Sequence, residues 1–212
     1  MSRISADFTL ALGIASVLTL WPNKFREAVS TSPLIPKVEH RKVVYEGYFD
    51  VQVEMLSLPH TLQPIPYTSL LCAEEATVVI AETEDGRLVV NKEYRHPSGL
   101  WLYGFPGGRL DGGETPLMAG TRELREEAGF EAVSWHYLGT AFSLPAICSQ
   151  KVHYFFAEKA QQTTAPQKEP LELISTLLME KKELLEAIRA GAPTDGILLT
   201  ALSFLTLARQ GT

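Results

Sequence analysis

The chain has 212 residues, of which 45% are hydrophobic, a net charge of −6 and two cysteines. This size and composition predict one domain with its own core plus an extension. The acidic balance excludes a general basic surface, so we expect no nucleic-acid partner. Two cysteines are too few for a disulfide framework, which predicts free thiols in a reducing compartment and hence a cytoplasmic protein.

A mostly apolar run, Phe8–Trp21, lies near the N-terminus. As a helix it would span about 21 Å, which is short of the roughly 30 Å core of a bilayer. No Ala-x-Ala-like cleavage site follows, which argues against a signal peptide. We favour a buried or partner-facing helix over a membrane anchor, and membrane contact through residues 8–21 stays open as the alternative. Residues 1–38 are therefore interpreted as a hydrophobic helix and a linker.

The pattern typical of β structure begins after this extension. Val43–Tyr45 and Phe49–Met55 contain strand-forming residues in period-two alternation. Ala76–Ala81 and Leu88–Val90 flank Glu-Asp-Gly-Arg, which predicts a hairpin. The later predicted elements are strands at Ala132–Ala141, Lys151–Ala157 and Leu171–Leu178, a polar loop at Ala160–Pro170, and helices at Glu180–Ala190 and Thr194–Arg209. The order predicts a mixed α+β fold.

A helix is predicted in the middle of the chain, from Pro116 to Ala128. Thr115 supplies a hydroxyl N-cap before the proline, and Gly129 supplies a residue suited to a left-handed stop. At 100° per residue, one stripe of this helix is apolar or small and should face a sheet. Its members are Leu117, Gly120, Thr121, Leu124 and Ala128.

Three carboxylates, Glu123, Glu126 and Glu127, fall within about 100° of one another on another face of that helix. Bare carboxylates at 4 Å repel by about 4 kcal/mol under an effective dielectric near 20. Mg²⁺ prefers oxygen ligands and bridges carboxylates to phosphates. The glycine-rich segment from Phe105 to Glu114 predicts a tight loop whose backbone can approach a metal or ligand. We therefore favour a metal site over a solvated Glu/Arg helix face.

The stretch from Gly108 to Phe130 reads Gly-x5-Glu-x7-Arg-Glu-Leu-x-Glu-Glu-x-Gly-Phe. It resembles the Nudix box in full, the signature of hydrolases that cleave nucleoside diphosphates linked to another moiety with a divalent metal. The element order resembles the Nudix α/β/α sandwich, a mixed sheet between helices, with an N-terminal β extension. On this resemblance residues 39–212 are the Nudix hydrolase domain, with strands in 39–72 and the core in 73–212.

Three further features resemble the ADP-ribose pyrophosphatase branch. They are Tyr-Arg-His-Pro at residues 94–97, the lead-in at residues 102–108, and Pro145 at 15 residues after Phe130. The resemblance implies a nucleoside diphosphate sugar, ADP-ribose or similar, as substrate. It implies a nucleoside monophosphate and a sugar phosphate as products. It also implies a homodimer to which the N-terminal strands contribute.

The same resemblance assigns roles to individual residues. Mg²⁺ or Mn²⁺ would be held by the Gly107 carbonyl, Glu123 and Glu127, and by Glu126 directly or through water. Arg122 would pair with Glu114 and brace the catalytic glutamates.

Substrate would lie against Gly108, and Arg95 would contact a phosphate, because a guanidinium suits bidentate phosphate binding. Tyr48 or Phe49 would stack on the base or support the sheet, and for these rings we favour core packing.

One position departs from the family pattern. Gln150 stands where related hydrolases often carry a glutamate that serves as catalytic base or metal ligand. Glutamine can hold a water but cannot take its proton, and loss of a general base costs roughly 10²- to 10⁴-fold. Either a box glutamate, best Glu123, is the base, or activity is weak. Gln150 therefore leaves open a non-catalytic domain that senses a nucleotide sugar, against which the intact box argues. A pyrophosphohydrolase acting on RNA 5′ ends is a further alternative, against which the acidic balance and Pro145 argue.

Overall fold

The computed structural model describes residues 35–72 and 74–210. Residues 35–43 and 53–68 belong to one compact unit, and the other described residues belong to a larger one. A three-stranded sheet has the order β1-β2-β3, with strands Lys37–Tyr45, Asp50–Ser57 and Ile65–Leu71. The first two strands confirm the predicted ones. The third is not among the predicted elements, because Pro66 interrupts a short apolar run.

The larger sheet has seven strands. They are β4 (Ala76–Thr83), β5 (Arg87–Arg95), β6 (Leu100–Gly104), β7 (Phe130–Glu131), β8 (Ser134–Phe142), β9 (Lys151–Gln162) and β10 (Ile174–Glu180). The order is β10-β5-β4-β9-β7, with β6 paired to β5 and β8 paired to β9. Strands β4 and β9 are parallel and the other pairs are antiparallel, so the sheet is mixed as predicted. The predicted hairpin joins β4 to β5 through Gly86, whose φ is 82°.

Helices cover both faces of this sheet. The box helix comprises α1 (Pro116–Glu123) and a π-helical turn (Leu124–Ala128), and it packs on a buried cluster that includes Val79, Val89 and Phe130. The two C-terminal helices, α2 (Lys181–Arg189) and α3 (Gly196–Gln210), cover a larger cluster on the other face. The arrangement confirms the predicted α/β/α sandwich.

The first and last residues of the box helix are as predicted, and the structure adds that its last turn is π-helical. The Thr115 hydroxyl accepts a hydrogen bond from Met118 N at 3.3 Å, and Pro116 is the first helical residue. Gly129 ends the helix with φ 78°, and a Cβ there would lie 2.3 Å from the Thr164 carbonyl oxygen. Glycine is thus required both by the left-handed backbone and by the neighbouring loop.

The predicted buried stripe of this helix was partly wrong. Leu117 and Thr121 are exposed, whereas Gly120, Leu124 and Ala128 are buried. The buried side is rotated toward the acidic residues, so that Glu123 and Glu127 lie on it rather than on a separate solvent face. Position 120 favours glycine because a Cβ there would come within 3.1 Å of both the Thr77 hydroxyl and a Val79 methyl.

Some predicted boundaries also differ. Strand β9 continues to Gln162, so the polar loop starts later than predicted, and β10 starts at Ile174 rather than at Leu171. Helix α3 buries Leu198, Ala201, Leu202 and Leu205 but leaves Leu199 and Leu207 exposed. It is therefore a helix with one buried side.

Among the described residues, no helix is both long and apolar enough to cross a membrane. The helix predicted at Phe8–Trp21 lies outside the described residues.

Candidate active site

The glycine-rich lead-in runs antiparallel beside the first half of β4. Thr77 N donates to the Gly108 carbonyl at 2.8 Å, and Val79 N donates to the Pro106 carbonyl at 2.9 Å. Because successive carbonyls of an extended segment alternate in direction, the Gly107 carbonyl faces away from β4. Gly107 N donates to Glu127 Oε2 at 3.0 Å. The lead-in is thereby fixed to the sheet on one side and to the box helix on the other.

Both lead-in glycines are required by close contacts. A Cβ on Gly107 would lie 2.2 Å from the Thr77 carbonyl oxygen, which belongs to the sheet backbone. A Cβ on Gly108 would lie 2.2 Å from Glu123 Oε1. Gly107 therefore permits the sheet contact, and Gly108 leaves the space that the Glu123 carboxylate occupies.

Glu127 is the most enclosed of the three box glutamates, with 5% of its surface exposed. Its Oε2 accepts hydrogen bonds from Asn91 Nδ2 at 2.9 Å and from Gly107 N. Burial, and next the charge of Glu123, raise the pKa of Glu127 well above its ordinary value. Both donors are neutral, so they orient the carboxylate without cancelling its charge.

Glu123, 8% exposed, is held differently. Arg122 Nη1 donates to Glu123 Oε1 at 2.9 Å and to Glu126 Oε2 at 3.2 Å. The other side of the same guanidinium makes two hydrogen bonds to Glu114, each at 3.0 Å, as predicted for the brace. Burial raises the pKa of Glu123 to about 7, although Arg122 opposes the shift.

Two further acids face this group. The charge of Glu172 acts on Glu93, Glu123 and Glu127, and Glu93 also acts on Glu127. Burial raises the pKa of Glu93, and the positive charge of Arg95 opposes this shift. We call these five side chains the carboxylate cluster: Glu93, Glu123, Glu126, Glu127 and Glu172.

Sequence reasoning missed Glu172. It lies in the loop between β9 and β10, at the end of a turn in which Glu169 N donates to Glu172 Oε2 at 2.8 Å. This loop is bound to the end of the box helix, because Gln167 N donates to the Glu126 carbonyl at 2.7 Å. The local sequence is an ordinary polar stretch, so only the tertiary fold reveals that Glu172 faces the box.

Gln150 directly precedes β9 and lies beside the residues that lead into β4. Its amide nitrogen donates to the Glu74 carbonyl at 3.4 Å. Gln150 is partly exposed, and its side-chain amide bonds the backbone before β4 rather than a box glutamate.

The predicted substrate residues occupy two places. Arg95 lies on the same face of β5 as Asn91 and Glu93, toward the box helix, and pairs with Glu93 and with Asp195. Tyr48 is 74% exposed, so core packing was the wrong interpretation for this ring. The Arg109 guanidinium lies 4.3 Å from the Tyr48 ring centroid. Arg109 directly follows Gly108 and connects the aromatic side chain to the lead-in, a role that sequence reasoning missed.

The chemistry of this donor set fits a hard divalent cation. Glu123 and Glu127 are buried carboxylates, and burial makes both of them harder to ionise. A partly exposed third carboxylate and the backbone carbonyl of Gly107, which faces away from β4, complete a set of oxygen donors. Within residues 35–72 and 74–210, no three acidic, histidine or cysteine side chains already converge as a ligand group. Arg122 instead holds two of the carboxylates, and a cation would compete with it for their oxygens.

The chain matches the NUDIX domain over residues 73–199, more than half of its length. It is 28% identical over 116 residues to the ADP-ribose pyrophosphatase of Bacillus subtilis (strain 168), a match that covers 53% of this chain and 63% of that one. It is 25% identical over 173 residues to the methanol dehydrogenase activator of Bacillus methanolicus, covering 80% and 94% of the two chains. The chain thus spans less than two thirds of the length of the Bacillus subtilis relative.

A crystal structure of an ADP compounds hydrolase has the same fold. It superposes with a TM-score of 0.73 at 21% identity and covers 83% of this chain and 95% of that one. Together with the intact box and the lead-in, these findings establish the predicted family: the chain belongs to the NUDIX family and resembles its ADP-ribose pyrophosphatase branch.

Proposed function

We propose that this protein is a divalent-metal-dependent hydrolase that cleaves the pyrophosphate bond of ADP-ribose or a similar nucleoside diphosphate sugar. The observation that carries the proposal is the carboxylate cluster beside the glycine lead-in. The names of the relatives support the substrate class. Products would be a nucleoside monophosphate and a sugar phosphate such as ribose 5-phosphate.

Glu123, Glu127 and the Gly107 carbonyl would hold Mg²⁺ or Mn²⁺, with Glu126 as a further or water-mediated ligand. Such an ion, when bound, neutralises phosphate oxygens and acidifies water. Arg122, anchored to Glu114, keeps Glu123 and Glu126 near each other against their mutual repulsion. Arg122 therefore acts on the reaction by positioning.

Glu172 is our proposed general base. A water oxygen forms a bond to one phosphorus while the bond from that phosphorus to the bridging oxygen breaks, and Glu172 takes the water proton. The loop that carries Glu172 is bonded to the box helix through Gln167 N and the Glu126 carbonyl, and the charge of Glu172 acts on Glu123 and Glu127. These observations favour Glu172 over Gln150, which cannot accept a proton from water. Gln150 was the reason to consider a purely sensing domain. That reason is weaker if Glu172 supplies the missing acid from another loop.

Arg95 would bind a phosphate by exchanging its contacts with Glu93 and Asp195 for phosphate oxygens, with Gly108 lining the same place. Tyr48, stacked on Arg109, would present its exposed ring to the base. Gln150 would bind substrate or water through its amide.

The deciding experiment is turnover of ADP-ribose, of a panel of nucleotide sugars and of a triphosphorylated RNA, each with Mg²⁺, with Mn²⁺ and with EDTA, measured by chromatographic separation of the products. Metal-dependent cleavage of one substrate class supports the hydrolase and names its substrate. Binding without turnover across the panel would favour a sensor. Turnover only of triphosphorylated RNA would favour the RNA 5′-end activity.

We also propose a homodimer formed through the three-stranded sheet. Strand β1 is exposed along its whole length and carries Val38, Val43, Val44 and Tyr45 at its surface. Exposed apolar strands of this kind commonly mark interaction surfaces. Light scattering during size-exclusion chromatography tests this, and a monomer at micromolar concentration would overturn it.

A further inference from the structure

Asn91 is a buried amide in the middle of β5, with 2% of its surface exposed. A buried amide is costly unless its donor and acceptor are both bonded. Its Nδ2 donates to Glu127 Oε2 at 2.9 Å, and its Oδ1 lies 3.2 Å from the Thr176 hydroxyl. Asn91 is therefore bonded on both sides, once to a box glutamate and once to a neighbouring strand.

The sheet itself fixes this contact. Asn91 and Thr176 are register partners in the antiparallel pair β5–β10. The Thr176 hydroxyl also lies 3.3 Å from the Glu127 backbone carbonyl. A hydroxyl has a single hydrogen, which these two acceptors must share. Thr176 thus touches both Asn91 and the backbone of the residue that Asn91 orients.

The two oxygens of Glu127 have different surroundings. Oε2 accepts from Asn91 and from Gly107 N, while no hydrogen bond to Oε1 is found among the described residues. Two donors on one oxygen fix the plane of the carboxylate and leave the other oxygen available. Because neither donor is charged, the negative charge remains for a cation.

We propose that Asn91, supported by Thr176, is a positioning residue that presents Glu127 Oε1 to the divalent cation. This inference rests on the proposed function. Neither residue is suggested to touch substrate, and both act through Glu127. Partners that orient a metal ligand typically alter metal affinity or activity by about 10- to 100-fold when they are removed.

The test is Mn²⁺ binding followed by electron paramagnetic resonance on the full chain, with the metal-free melting temperature as a second readout. Asn91→Leu keeps the volume but removes the amide, and we expect the Mn²⁺ dissociation constant to rise about 10- to 100-fold. Thr176→Val, which keeps the shape and loses the hydroxyl, should raise it by a smaller factor. Thr200→Val is the matched control, since it makes the same substitution on α3, which covers the other face of the sheet, where the Thr200 hydroxyl donates to the Gly196 carbonyl at 3.1 Å.

Weakened Mn²⁺ binding in Asn91→Leu and Thr176→Val, with affinity kept in Thr200→Val, supports the inference. Unchanged Mn²⁺ affinity in a folded Asn91→Leu protein overturns it while leaving the proposed function in place. If Asn91→Leu does not fold, Thr176→Val decides by the same criterion. A wild-type protein that takes up no Mn²⁺ overturns the metal-dependent function and this inference together.

Discussion

Two neighbouring groups on the box helix hold their carboxylates by different means. Around Arg122, one guanidinium bridges Glu114, Glu123 and Glu126, and the pairing is partly open to solvent. Around Glu127, a backbone amide and a buried asparagine hold a carboxylate that is almost fully enclosed. The first group balances charge with charge, and the second fixes geometry with neutral donors. We therefore expect a cation to matter most for Glu127.

Glu127→Gln is the most direct test of this comparison. We expect metal-dependent turnover to be abolished, because a neutral amide replaces an anionic ligand, while the fold stays intact because glutamine keeps the shape of the side chain and an oxygen that accepts from Asn91 and Gly107. Turnover with Mg²⁺ and circular dichroism measure the two effects. Glu131→Gln, an exposed change on β7, is the control. Full activity in Glu127→Gln would rule out its role as a ligand.

Glu172→Gln separates proton transfer from metal binding near Glu127. We expect kcat to fall roughly 10²- to 10⁴-fold, as for loss of a general base, with Mn²⁺ affinity nearly unchanged. Gln150→Ala is the paired variant and should reduce kcat far less. A larger effect at Gln150 than at Glu172 would reverse the assignment.

Gly108→Ala tests the space beside Glu123. The new Cβ would lie 2.2 Å from Glu123 Oε1, so the flexible carboxylate must move while the backbone can stay. We expect metal affinity to fall by about an order of magnitude, comparable to the loss of an orienting partner, with a small change in melting temperature. Gly112→Ala meets nothing within 4 Å and is the control. Equal metal affinity in the two variants would contradict the close contact.

The smallest expected effect is on stability against pH in EDTA. Glu123 ionises near 4.5 in the unfolded chain but at about 7 in the folded protein. Between these values the folded state holds a proton that the unfolded state has released, so ionisation disfavours the folded state as pH rises. The contribution of Glu123 should lower the melting temperature from pH 4.5 to about 7 and then level off, while Glu127, whose pKa is also raised, acts in the same direction. Glu123→Gln should flatten part of that slope, and a melting temperature that rises across this range would contradict the burial of an ionisable group.

Sequence reasoning succeeded where the constraint is local. The limits of the box helix follow from Thr115, Pro116 and Gly129, whose cap chemistry acts within a few residues. The pairing of Arg122 with Glu114 follows from the resemblance to the box and is present. The family and the sandwich follow from the same stretch.

It failed where partners come from distant segments. Asn91 reaches the box because β5 lies beneath the helix, and Thr176 does so because β10 pairs with β5. Glu172 lies in the loop before β10, and nothing in the local sequence marks any of the three residues. Leu117 was assigned to the buried stripe because helical periodicity gives the relative angles of residues and not the direction of the core. The rotation that buries Glu123 and Glu127 is set by the sheet beneath the helix.

The attachment of the lead-in to β4 has a consequence for motion. Thr77 and Val79 donate their backbone N–H groups to Gly108 and Pro106, so the segment facing the glutamates belongs to the hydrogen-bonded ladder of the central sheet. Elements joined in this way open as one cooperative unit. The amides of Thr77 and Val79 should therefore exchange with deuterium as slowly as the innermost strands, and the floor of the site should loosen only when the whole domain unfolds.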